Sequence, residues 1–234
     1  MTVHDAALLA ELAKLDTPTV CNALEELVSP RELIRFTTRP FVHNDHADAI
    51  LVGYARTAAI RAERPPALPA EERNALRLRY YEHVATATPG PNIAVIQDLD
   101  SVPGTGAFWG EVQTTVHKAL GVAGCITNGS IRDIPMMAKG FPILAGMLAP
   151  SHAFVHVVAV GVTVSIHGMV VHDGELVHAD RHGAVVIPHE VAARVPEAAA
   201  LCTRREAVIL EAARRPGFGI ADLRAAFARM SEIH

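Results

Sequence analysis

The sequence holds little that would support covalent cross-linking, membrane insertion or nucleic-acid binding. Only three cysteines occur in 234 residues, Cys21, Cys125 and Cys202, far apart and with no Cys-x-x-Cys pair. Neither a disulfide framework nor a zinc knuckle is indicated, and the three read as reduced core thiols. No apolar stretch reaches the ~18 residues of a spanning helix. The N-terminus begins with polar Thr2, His4 and Asp5 and lacks a basic start followed by an apolar signal core. The expected location is therefore the cytoplasm, with no membrane partner. Lys and Arg total 21 against 25 Asp and Glu, with no long basic run, which argues against nucleic acid as a partner. A small anionic substrate would need local arginines. Gly104 and Gly106 are too short a pattern for a nucleotide fingerprint, and no Walker loop is present. Among the histidines no His-Glu-x-x-His or paired Cys/His spacing occurs, so zinc catalysis has weak support.

Half of the residues are apolar, enough for a substantial core in one domain spanning residues 1–234. Leu8, Leu9, Leu12 and Leu15 place an apolar stripe on a first helix. Thr17-Pro18 then reads as an N-cap followed by proline at the first helical position, opening a helix to about Leu27. Residues 49–60 are rich in strand formers and read as one long strand, with Gly53 marking a bulge or a close backbone approach. The proline-rich 64–69 breaks regular structure before a charged helix over 70–84, so the segment near 63–85 reads as a surface insertion. Ile93 to Ile96 predicts a buried strand that delivers Asp98 and Asp100 to a loop. From Val155 to Ile187 short Val-rich runs punctuated by glycine predict a β-meander, with Asp173-Gly174 as its best hairpin turn. Helices are expected from Val191 to Ala213 and from Ile220 to Met230. Strand, helix, strand, short helix, strand through the middle suggests a layered α/β core.

The chain is organised around the stretch from Trp109 to Asp133. Val112, Val116, Ala119 and Leu120 have helical spacing, and Val122 to Thr127 reads as a short buried strand. A helix of ~11 residues travels roughly 16 Å, and a strand of ~6 residues about 20 Å. A chain that reverses between them returns to its starting end. Glu111 is thereby expected to face Arg132 and Asp133. Plain structural roles account for the same residues: Asp133 before Ile134-Pro135 is a good helix N-cap, and Arg132 could simply pair with Glu111 at the surface.

Twenty residues separate Glu111 from Arg132-Asp133. This arrangement, with Gly110-Glu111, Asn128-Gly129 and the later His178-Ala179-Asp180-Arg181-His182-Gly183, resembles the metal-dependent pyruvate aldolases of the regulator of ribonuclease activity A family. The resemblance runs over about residues 15 to 210, apart from the segment near 63–85. It implies a swivelling β/β/α sandwich, assembled as a trimer or a hexamer with sites at subunit contacts, and either retro-aldol release of pyruvate or decarboxylation of oxaloacetate. Such a reaction leaves pyruvate enolate, so it needs groups that hold a carboxylate and stabilise an oxyanion. Gly110 lets backbone approach a ligand, and the N–H groups of Glu111, Val112 and Gln113 at a helix start form an anion site. Arg132 can bridge carboxylate and enolate oxygens. Asp133 is a hard oxygen ligand for Mg²⁺ or Mn²⁺, and Glu111 can hold a water on that ion. The resemblance also implies an acid from a neighbouring copy's C-terminal helix, for which Glu206 is the nearest match. His156, His178 and His182 are further candidates to line the cleft. The other reading the family offers is a non-catalytic regulator that binds an endoribonuclease. A quinone methyltransferase would need a glycine-rich cofactor loop after a first strand, which the sequence lacks.

Overall fold

A computed structural model describes residues 4–233. Helix α1 (Ala6–Leu12) and helix α2 (Thr17–Leu27) follow each other directly. The cap of α2 is Asp16 rather than Thr17: the Asp16 carboxylate accepts from the Thr19 N–H at 2.8 Å. Thr17 already lies inside the helix. Its hydroxyl bonds Nδ1 of His178 at 3.0 Å, so a buried tertiary contact occupies the group that capping would have used.

After the short strand β1 (Val42–His43), strand β2 (Leu51–Arg61) forms the spine of the molecule, with all but its last residue buried. Burial on both faces is why it reads as a nearly continuous apolar run rather than an alternating one. Gly53 marks a close approach and not a bulge, since a Cβ there would stand 2.3 Å from the Pro91 carbonyl oxygen. The register shift in β2 falls instead at Ala59/Ile60. Helix α3 (Ala70–Ala85) crosses to β3 (Asn92–Asp98), which lies parallel to β2. Next come β4 (Ala107–Trp109), helix α4 (Glu111–Ala119) and β5 (Val122–Thr127), the last parallel to β3. Strand β6 (Ser130–Ile131) leads to a single 3-10 turn at Ile134–Met136, in the place of the expected short helix. Strand β7 (Ile143–Ala145) then extends the parallel set beside β5, and β8 (Met147–Leu148) joins β4 and β6 in a small second sheet.

The expected meander is split among several partners. Strand β9 (His156–Val160) pairs with the far end of β2. Strands β10 (Val164–Ile166) and β11 (Met169–Val171) form their own hairpin, turned at His167-Gly168, where both residues have positive φ. Strand β12 (Leu176–Asp180) and β13 (Gly183–Ile187) close the main sheet, which runs β1-β7-β5-β3-β2-β12-β13. Asp173-Gly174 is therefore a turn between β11 and β12, which do not pair with one another. The reason is chemical. The Asp173 carboxylate accepts from the Thr57 N–H at 2.9 Å and from Arg56 at 3.2 Å, and bonds His83 at 2.9 Å, tying the turn to β2. Helix α5 (Val195–Ala213) and helix α6 (Ile220–Ser231) finish the chain.

The architecture is a mixed α/β fold with a curled eight-stranded sheet, in keeping with the expected sandwich. Strands β2, β3, β5 and β7 are mutually parallel neighbours, so the loops after β3 and β5 emerge at one edge. Asn128 binds those loops together, its amide accepting from the Asp98 N–H at 2.7 Å and donating to the Asp98 carbonyl at 2.9 Å. Ligands of open α/β sheets bind outside the carboxyl ends of strands. The β4-β6-β8 sheet and the Arg132-Asp133 segment stand at that edge. No helix among the described residues is long and apolar enough to cross a membrane.

Candidate functional site

Gly110 immediately precedes α4, and its carbonyl takes the first intrahelical bond, from the Thr114 N–H at 3.1 Å. The N–H groups of Glu111, Val112 and Gln113 have no acceptor among the described residues. Three orphan donors and the positive end of the helix dipole make this an anion site. The chain returns to it as expected. Arg132 N–H donates to the Trp109 carbonyl at 2.9 Å, and a Cβ on Gly110 would stand 2.8 Å from Asp133 Oδ2 and 3.3 Å from Arg132 Cγ. Glycine at 110 leaves room for the close approach of the Arg-Asp pair, which a Cβ would push aside.

Asp133 lies in the left-handed region at φ 57°, and its side chain makes no capping bond to the turn that follows. The N-cap explanation therefore fails. A non-glycine residue in this region costs about 1 kcal/mol or more and persists where its surroundings hold it. The Arg132 Nε to Asp133 Oδ2 distance is 3.6 Å with both side chains over a third exposed, a pair worth little to stability. No ion pair joins Glu111 to Arg132 among the described residues. Glu111 is exposed on the first turn of α4. Arg132 and Asp133 open into a cavity of about 420 Å³, bounded across from them by Leu148, Ala149 and Pro150.

The inner face of α4 differs from the apolar stripe expected of it. Val112 is 71% exposed, whereas the buried residues of the helix are Thr114 and His117. Both are polar and both are satisfied. The Thr114 hydroxyl bonds the Gly110 carbonyl at 2.9 Å and accepts from the Ala138 N–H at 3.0 Å, joining the helix start to the segment that carries Asp133. His117 Nδ1 donates to the Gln113 carbonyl at 2.7 Å, which leaves Nε2 to accept from the Tyr80 hydroxyl of α3 at 2.6 Å. Neither residue gave a catalytic signal in the sequence. Their spacing from Gly110 and Gln113, four residues in each case, is the trace that could have found them.

Burial pushes the His117 imidazole down to about 4, below the 6.5 of an exposed histidine. The unfolded chain therefore takes up this proton first as pH falls. Stability from His117 is complete above about pH 6.5, is lost between 6.5 and 4, and levels off below. The full difference is worth about 3 kcal/mol. His4 and His178 are also lowered by burial, so they add to the slope with the same sign. Urea unfolding across that window should show a shallower loss in His117→Gln than in the unsubstituted protein; equal slopes would reject the assignment.

The remaining candidates lie elsewhere. His178 is fully buried beneath α1 and α2, with Nε2 bonded to the Leu12 and Leu15 carbonyls at 3.2 and 3.1 Å. It anchors those helices and does not line the cleft. His182 bonds the Asp180 carboxylate, which also accepts the Thr17 N–H. Glu206, exposed on α5, accepts from Asn22 of α2 at 3.2 Å. It is not brought to Asp133 within one copy of the chain. No cluster of three or more His, Cys, Asp or Glu among the described residues could hold a metal ion. The donor set at Asp133 instead suits a hard cation that keeps several waters and takes one or two protein carboxylates, as Mg²⁺ does.

Residues 17–186 match the RraA-like family described as Aldolase/RraA, and the chain belongs to that family. Among curated proteins it is 26% identical over 190 residues to one from Halalkalibacterium halodurans, covering 80% of each chain. That relative bears the provisional name 4-hydroxy-4-methyl-2-oxoglutarate aldolase. Among solved structures, Streptomyces coelicolor RraAS2, described as an unusual member of the RNase ES inhibitor RraA protein family, superposes with a TM-score of 0.68 at 25% identity. The match covers 88% of this chain and 97% of that one. An uncharacterized protein from Pseudomonas syringae pv. tomato shares the fold, with a TM-score of 0.70 at 24% identity over 98% of this chain and 96% of that one. The family thus holds both aldolase-like proteins and regulators.

Proposed function

We propose that this protein is a divalent-metal-dependent lyase that releases pyruvate from a 2-oxo acid, by retro-aldol cleavage of a 4-hydroxy-2-oxo acid, by decarboxylation of oxaloacetate, or by both. One observation carries the reading: three acceptor-free N–H groups at the start of α4 lie against an Arg-Asp pair whose aspartate is held in a left-handed conformation without capping anything. A pure docking surface has no need of that arrangement.

The N–H groups of Glu111, Val112 and Gln113 hold the substrate carboxylate. Arg132 bridges that carboxylate and the 2-oxo oxygen, where negative charge grows as the carbon-carbon bond breaks. Asp133 would hold Mg²⁺ or Mn²⁺; Glu111 of the same chain, and Glu206 of a neighbouring copy, would act on it through water. When bound, the cation supplies Lewis-acid polarisation of the 2-oxo group. In the retro-aldol direction Glu111 accepts the 4-hydroxyl proton through water, C4 becomes the carbonyl carbon of the second product, and the electron pair of the broken C3–C4 bond passes to the enolate. Protonation at C3 then yields pyruvate. Assembly as a trimer or hexamer is supported by the exposed apolar residues around the site, Val112, Met136 and Leu148.

The second reading, a regulator that binds an endoribonuclease without catalysis, is favoured by the likeness to RraAS2 over nearly all of that chain. The two separate cleanly. Pyruvate released from oxaloacetate with Mg²⁺ or Mn²⁺, and abolished by chelator, supports the lyase; no release with either metal and no cleavage of a panel of 4-hydroxy-2-oxo acids leaves the regulator.

A further inference from the structure

We propose that a basic cleft walled by α3 is an anion subsite for the far end of the substrate, taking a carboxylate or phosphate-type group carried beyond the bond that breaks; the proposal rests on the lyase reading of the neighbouring site. The cleft, about 380 Å³, is lined by Arg73 and Arg77 of α3, His152 and His156 of the segment leading into β9, and Gln113 of α4. No carboxylate lines it. Arg73 and Arg77 make no ion pair among the described residues. They stand four residues apart on one helix face, where like charges destabilise the helix. Arg77 also donates to Asn74 Oδ1 at 3.3 Å, but no carboxylate offsets either charge among the described residues. An anion held between them would gain two forked donors.

Two histidines on the wall are held by backbone. Nδ1 of His152 bonds the Ala153 carbonyl at 2.8 Å and Nδ1 of His156 bonds the Phe154 carbonyl at 2.7 Å. A carbonyl only accepts, so both Nδ1 atoms carry hydrogen; each Nε2 accepts from a ligand O–H, such as that of a hydrogen phosphate, and donates to a fully ionised group only when its ring is protonated. Gln113 links the cleft to the start of α4. Its backbone N–H is one of the three open donors of α4. Its side-chain oxygen accepts from the Tyr81 hydroxyl at 3.0 Å, which leaves the amide NH₂ for the cleft. The two hollows also draw on one stretch of chain, since Leu148 to Pro150 bound the Arg132-Asp133 cavity and His152 to Val157, which follow closely, bound the cleft.

The subsite is tested by binding, which does not depend on turnover. Affinities for 2-oxobutyrate, 2-oxoglutarate and 2-oxo-4-phosphonobutyrate are measured by calorimetry with Mg²⁺ present, for the unsubstituted protein and for the double variant Arg73→Gln/Arg77→Gln. At least one of the two dianionic ligands should bind about tenfold or more tighter than 2-oxobutyrate, and the double variant should lose that preference while its affinity for 2-oxobutyrate stays within about twofold. Whichever of the two binds tighter identifies carboxylate or phosphate as the group the cleft takes. The absence of any preference, or its survival in the double variant, would overturn the subsite. Circular-dichroism melting checks that the variant folds, and Arg77→Lys, which keeps the charge, should retain part of the preference. Oxaloacetate turnover and cleavage of the 4-hydroxy-2-oxo acid panel, measured alongside, report on the lyase reading: failure of both would remove that reading and leave the binding ratio to decide the cleft.

Discussion

Asp133→Asn should lower metal-dependent pyruvate release by roughly a hundredfold or more, at least about 2.7 kcal/mol of transition-state stabilisation, and leave the fold unchanged. The two halves of this expectation have separate grounds. A neutral amide is a poor ligand for a hard cation, and the Asp133 carboxylate stands directly against Gly110 at the helix start. Structurally the substitution is mild: Asn tolerates the left-handed region as well as Asp does. The Asp133 side chain is over a third exposed, and its carboxylate caps no helix. Steady-state rates at several Mn²⁺ concentrations, Mn²⁺ affinity by calorimetry and a melting curve give the three readouts. Near-normal, chelator-sensitive activity would show that the cation is held elsewhere. Saturation with excess Mn²⁺ should recover little, because the loss is one of charge at the reacting oxygen as well as of affinity.

Much of this site was legible in the sequence because its placement follows from element lengths. A helix after Gly110 and a strand ending at Thr127 bring the chain back on itself whatever packs around them, and the return of Arg132 to the Trp109 carbonyl follows. Strand β2 was legible for a similar reason, since burial on both faces leaves a continuous apolar run. The inner face of α4 was not. Periodicity credits Val112 and Leu120 to the core, yet Thr114 and His117 occupy it, and their burial is tolerable only because Ala138 and Tyr80 supply partners from distant segments. Asp173-Gly174 misled in the same way: the local signal for a hairpin is real, but the carboxylate is committed to Thr57, Arg56 and His83. Glu206 illustrates a different limit. A proposed reach to a site on another copy would leave no trace in its own chain's geometry, where Glu206 meets Asn22.

The sharpest test of mechanism compares Arg132 with Glu111, to which the proposed chemistry gives different work. Arg132→Lys keeps the charge but loses the fork, so one of the two oxygens it would bridge loses its donor. Binding of pyruvate and oxalate should weaken, and every substrate should be slowed, by about 3 kcal/mol where the lost donor served the oxyanion. Loss of a stabilising ion pair is a poor rival explanation, because the 3.6 Å contact with Asp133 is solvent-exposed. Glu111→Gln should leave the cation on Asp133 and leave the three N–H donors of α4 in place, since Gln is as compatible with a helix start as Glu. What it removes is the acceptor for the 4-hydroxyl proton. Decarboxylation of oxaloacetate has no hydroxyl to deprotonate, so it should fall much less than cleavage of a 4-hydroxy-2-oxo acid in the same protein at saturating metal. Arg132→Lys, by contrast, should reduce both reactions together, because each passes through the same enolate. Measured as a ratio of the two kcat values, the Glu111 effect is independent of enzyme concentration and of any partial unfolding. A ratio unchanged from the unsubstituted protein would end the proton-acceptor role and leave Glu111 to act only through the charge it places at the helix start.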